Sequence, residues 1–164
     1  MAYMVGRFSP GVPVLGLLVL VAGFGSTLTA QQVAAEAFAR ERTLLCESFT
    51  SERLGLWQKR LNLEAWTITV AMTRAADLKP KTLGNIHWDL EKKTAVIRVL
   101  DPADYAMPLP DLLRDMELTV VHELIHLGFA PVLADLHRTD ANRQEEEHAV
   151  NHMAEALLDL ERGK

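Results

Sequence analysis

The chain carries one cysteine, Cys46, in 164 residues, which excludes an internal disulfide framework. Within the helical stretch RERTLLCESF, Cys46 reads as a small packed hydrophobe rather than a reactive thiol. Basic residues are also in short supply, with 17 Lys and Arg against 22 Asp and Glu and a net charge of −5. Nucleic acid is therefore not an expected partner, because phosphate binding needs a basic face. Internal repeats and low-complexity tracts are absent, and 164 residues with 49% hydrophobic content suit one compact core.

No apolar run reaches the roughly twenty residues of a membrane span. The nearest approach, Val14 to Ala22, follows Arg7, Pro10 and Pro13 and precedes small residues, the three-part layout of a secretory leader. Residues 1–30 are read as that leader, cleaved after Ala30, and 31–164 as the mature domain. Cleavage after Ser26 or Thr27 and retention of the leader as an N-terminal anchor are the alternatives. No cysteine near the junction offers a lipid attachment point. The expected product is exported, periplasmic or secreted, with no stable membrane span once the leader is removed. It is one charge more negative than the whole chain, since Arg7 goes with the leader.

From Gln31 to Leu61 apolar residues recur at threes and fours, predicting two helices broken near Thr50 and Ser51, with Ser51 capping the second. AWTITVAM, Ala65 to Met72, is a strand with Trp66, Ile68 and Val70 on one face. After a Pro80- and Gly84-containing loop, GNIHWDLEKKTAVIRVL reads as a hairpin turning at Asp89 to Lys93. Three consecutive strands imply a small antiparallel sheet. Prolines at 102, 108 and 110 mark a loop. Asp111 then caps a helix that Gly128 stops and Pro131 confirms as stopped, and a last helix runs from about Asn142 to Leu160.

The third helix contains TVVHELIHLGF, Thr119 to Phe129. Residues four apart share a helix face, so His122 and His126 can direct two imidazole nitrogens to one point, as tetrahedral zinc requires. Glu123, turned about 100° away, misses the metal but can reach a water bound to it. The surrounding Val120, Val121, Leu124, Ile125 and Leu127 bury the segment, and buried polar groups without partners cost roughly 2 to 7 kcal/mol each. A bound ion offsets that cost. The third protein ligand is sought in NRQEEEHAVNHMAEALLDL, where Glu146 and Glu147 both point partly inward by helical phase. Asn151 favours Glu147, because it lies four residues on and could hold the outer nitrogen of a ligand histidine.

HELIH followed about twenty residues later by EHAVNHMA resembles the gluzincins, the thermolysin-like metallopeptidases, and Glu147, Asn151, Met153, Ala154, Leu157 and Leu158 are similar to the ImmA/IrrE-type zincins. The resemblance covers Leu118 to Leu158. It implies an α+β, minimal zincin-like fold: a small antiparallel three-stranded sheet packed on N-terminal helices, an HExxH helix and a C-terminal glutamate helix. It implies Zn2+ on His122, His126 and Glu147, with Glu123 as general base in the hydrolysis of a peptide or protein substrate. In this family an edge strand above the zinc accepts extended peptide, and GNIHWD is the candidate. Tyr105, His137 and His152 are the candidates for stabilising the oxyanion, and His148 reads as a surface residue. Two rivals are a non-catalytic zinc-stabilised binding domain of the cell envelope, with His148 or His152 as fourth ligand, and an enzyme acting on a non-peptide amide.

Overall fold

A computed structural model describes residues 29–163, so the expected leader, up to residue 28, lies outside the described residues. Three helices and a three-stranded mixed sheet give an α+β fold.

The first helix, α1 (Ala30–Arg60), runs for 31 residues without interruption, which replaces the two expected helices by one. Thr50 explains why no break occurs: fully buried, it donates its hydroxyl proton to the Cys46 carbonyl one turn back at 2.7 Å. Ser51 is consequently mid-helix and caps nothing. The helix starts at Thr29, whose side chain and backbone exchange hydrogen bonds with Gln32 in a capping box spanning the Ala30–Gln31 junction. The first half of α1 is exposed, Phe38 and Leu44 included, and the second half buries Cys46, Leu54 and Trp57. Burial pushes the Cys46 thiol up despite the nearby Arg42 charge, in keeping with a packed rather than reactive role.

The strands are β1 (Thr67–Thr73), β2 (Gly84–Asp89) and β3 (Thr94–Leu100). β2 and β3 form the expected antiparallel hairpin, its turn held by Asp89, whose carboxylate accepts from the Glu91 and Lys92 amides at 3.1 and 3.0 Å. β1, however, pairs in parallel with β3, giving the order β1-β3-β2 and correcting the all-antiparallel expectation. The reason lies in β3, the most deeply buried of the three strands, with Ala95, Ile97, Val99 and Leu100 all buried. Such a strand belongs in the middle. The loop after β1 therefore carries the chain past that slot to the far edge, and the hairpin returns β3 into it. Registers Val70–Ile97–Ile86 and Met72–Val99–Gly84 line the face toward the helices, and β2 is left as an edge strand.

α2 (Leu109–Leu133) lies under the sheet and carries the motif. Pro108 occupies its N-cap position and Asp111 sits in the first turn, so Asp111 is not the cap. Gly128 and Pro131 do not stop the helix either. Pro131 removes one amide donor and the helix ends two residues later at Leu133, while nothing crowds Gly128. By length and composition α2 could cross a membrane, but most of it is buried among protein side chains. α3 (Asp140–Glu161) starts two residues earlier than expected because Thr139, not a later residue, caps it by accepting from the Asn142 amide at 3.2 Å. Val150, Ala154 and Leu158 pack α3 against the core containing Val121, Leu124 and Ile125.

Glu117 fastens the three helices. Its buried carboxylate accepts from the Trp57 indole of α1 at 3.0 Å and from Arg162, just after α3, at 3.2 Å.

Gly84 sets how closely β2 approaches the motif helix. A methyl there would lie 2.5 Å from the Thr119 methyl and 2.6 Å from the Arg98 carbonyl oxygen, and the second of these is backbone that must move. Gly84→Ala should therefore destabilise the fold by about 1–3 kcal/mol, read as a lower denaturation midpoint. Unchanged stability would show that the strand is free to shift.

Candidate metal centre

Two helices build the centre, α2 giving His122, Glu123 and His126, and α3 giving Glu146, Glu147 and Asn151. The expected partners converge. His122 Nε2 and His126 Nε2 are 3.0 Å apart, and the two carboxylate oxygens of Glu147 lie 3.3 and 3.4 Å from them. Tetrahedral nitrogen and oxygen ligands at 2.0–2.2 Å from one ion would stand about 3.3 Å from each other, so the spacing is that of a ligand set.

The outer ring nitrogens decide what the inner ones can do. His122 Nδ1 lies 3.0 Å from the Asn151 side-chain oxygen, and His126 Nδ1 lies 2.9 Å from Glu146 Oε1. Both of those oxygens accept, so both Nδ1 atoms donate, and each neutral ring turns a lone pair at Nε2 toward the other and toward Glu147. Three acceptors facing one point are mutually unfavourable without a cation between them. Burial, reinforced by the His126 charge and opposed by Glu147 and Asn151, lowers the His122 pKa and favours the neutral ring that binds metal. The described residues therefore include one His-His-Glu group at metal-ligand distance, formed by His122, His126 and Glu147.

Glu146 and Glu147, which helical phase alone could not separate, take different roles. The Glu146 side chain is 13% exposed, orients His126 and pairs with Arg138 from the α2–α3 connection. The Glu147 side chain is 57% exposed and reaches over the imidazoles from the open side. Neither the Glu146–His126 bond nor the Arg138 contact was expected from the sequence, and the only signal for them was an acid at position 146 half facing inward.

Glu123 is buried beside the triad. Desolvation, with a further contribution from the Glu147 charge, pushes its carboxyl up to about 8, and among the described residues it has no hydrogen-bond partner. A positive ion on the triad would act in the opposite direction.

None of the three oxyanion candidates hydrogen-bonds to the triad. The Tyr105 hydroxyl donates to Asp115 at 2.8 Å, His137 is exposed in the connection before α3, and His152 packs on His148 at a ring separation of 4.2 Å. Burial first, then the Asp115 bond, raises the Tyr105 pKa, leaving the phenol neutral. An apolar hollow of about 430 Å³, lined by Leu61, Leu124, Phe129, Met153 and Leu157, contains no triad residue. A second hollow of about 380 Å³ includes Leu118, one turn before His122, and Glu155, one turn after Asn151. No protein-family model, curated protein or solved structure matches this chain.

Proposed function

We propose that the chain is an exported zinc-dependent peptidase with a minimal zincin-like core, acting on peptide or protein substrates. The observation that carries this reading is the convergence of His122 Nε2, His126 Nε2 and the Glu147 carboxylate, each imidazole held from behind by a hydrogen-bond acceptor. Two nitrogens and one oxygen are the ligand set of a catalytic zinc site, in which the fourth position is left to water or substrate. Held there, zinc would supply a water acidified to a pKa of about 7 and polarise the scissile carbonyl.

The chain's own residues do the rest. Asn151 and Glu146 keep both rings in the tautomer that binds metal. Glu123, buried and without a competing partner among the described residues, takes the proton of the attacking water and returns it to the leaving amine. β2, an edge strand packed against α2 at Thr119, offers backbone donors and acceptors to an extended substrate. A closed, structural zinc site would need a fourth protein ligand, and the outward placement of His148 and His152 supports an open position instead.

Zinc-loaded protein incubated with unfolded polypeptides should generate new N-termini detectable by mass spectrometry, lost on chelation and restored by zinc. Cleavage that persists after complete zinc removal would overturn the reading. Glu146→Gln and Asn151→Ala should each weaken zinc binding about 10- to 100-fold in competition with a chelator, the effect of losing an orienting partner rather than a ligand. Complete zinc loss in Glu146→Gln would exchange the roles of Glu146 and Glu147.

A further inference from the structure

We propose a second metal site on the outer face of α3, in which His148 and His152 clamp one divalent transition ion, Cu2+ or Ni2+, separately from the buried triad. The two histidines are one helical turn apart, and their ring centroids are 4.2 Å apart with planes inclined at 59°. His122 and His126, the pair in the metal centre, show nearly the same arrangement, 4.7 Å and 66°. The surface pair thus repeats the two-imidazole geometry on which the first site is built.

Three further features fit an ion rather than a packing contact. Both rings are exposed, so water can complete the coordination. Among the described residues, neither ring makes a hydrogen bond, which leaves all four ring nitrogens available. The backbone between them is fixed, because Val150 and Ala154 on the opposite side of the helix are fully buried against the core. Two ligands carried on one rigid turn bind as a chelate, the second at high effective concentration. Imidazole nitrogen suits this class of ion, with Cu2+ bound most tightly.

The site is distinct from the triad by helical phase. His148 follows Glu147 and His152 follows Asn151, each turned about 100° round the helix from its neighbour. An ion on the outer pair therefore cannot share the ligands of the inner one.

The test is calorimetric titration of tag-free, zinc-loaded full chain with Ni2+, with zinc content followed by elemental analysis so that exchange at the triad is counted separately. Wild type should take up one Ni2+ per chain with zinc retained. His148→Ala and His152→Ala should each weaken that uptake about 100-fold, and the double substitution should abolish it while leaving zinc content and helical circular dichroism unchanged. Absence of Ni2+ uptake by wild type, or uptake unchanged in the double variant, would overturn the proposal. Neither result would bear on zinc at His122, His126 and Glu147, which is read independently in the same samples.

Discussion

Glu123→Gln is expected to keep its zinc and to lose hydrolysis by a factor of about 10²–10⁴, the range of a general base. The substitution keeps the shape of a side chain that is buried in the motif helix, and it removes the only property assigned to it, the ability to take and return a proton. Zinc should remain because Glu123 is outside the ligand group. The same variant has a second readout in the metal-free protein. The folded-state pKa of Glu123 is raised to about 8, so the carboxyl favours folding while it is protonated and ceases to do so as it ionises. Glu123's contribution to the stability of the metal-free wild type should therefore be fully present below the ordinary carboxylate range and be lost as pH rises through about 8. Glutamine cannot ionise, so the variant should lack that part of the slope and have the higher denaturation midpoint at pH 8.5. Full hydrolytic activity in the variant would remove Glu123 as the base.

His126→Ala is expected to empty the site. The ring supplies one of two nitrogens and also gives Glu146 its partner, so its removal takes a ligand and leaves the Glu146–Arg138 pair without the imidazole. Zinc content should fall from one ion per chain to near zero. Thermal stability should separate this from simple misfolding. In wild type, zinc at a thousand times its dissociation constant adds about 4 kcal/mol to folding, seen as a rise in melting temperature. In His126→Ala, zinc should give no rise while helical content persists. A variant that still binds one zinc with wild-type affinity would contradict the ligand assignment.

The candidate metal centre was legible in the sequence to the extent that one helix's phase controls it. His122 and His126 needed only a four-residue spacing, and Asn151 was reached from the same logic on α3. Glu146 was not resolved, because its role depends on where a second helix docks and on Arg138 from the connection between helices, neither of which periodicity encodes. Fold errors share that cause. Thr50 suggested a break only while its hydroxyl had no visible partner, and the Cys46 carbonyl supplies one. Pro131 and Gly128 look like stop signals, but Gly128 keeps a helical rather than left-handed backbone, and the helix ends only two residues beyond Pro131. The parallel β1–β3 pair was missed for a topological reason: three strands in succession favour a meander, yet the most deeply buried strand claims the centre of the sheet. Glu117, which no pattern in the sequence singles out, is a buried acid whose partners Trp57 and Arg162 are distant in sequence.

The most direct measurement is a crystal structure of the zinc-loaded protein with the ion located by anomalous scattering at the zinc edge. The account predicts one zinc within about 2.0–2.2 Å of His122 Nε2, His126 Nε2 and a Glu147 carboxylate oxygen, with no protein atom in the fourth position. Zinc bound through Glu146 in place of Glu147, or enclosed by a fourth side chain, would contradict it.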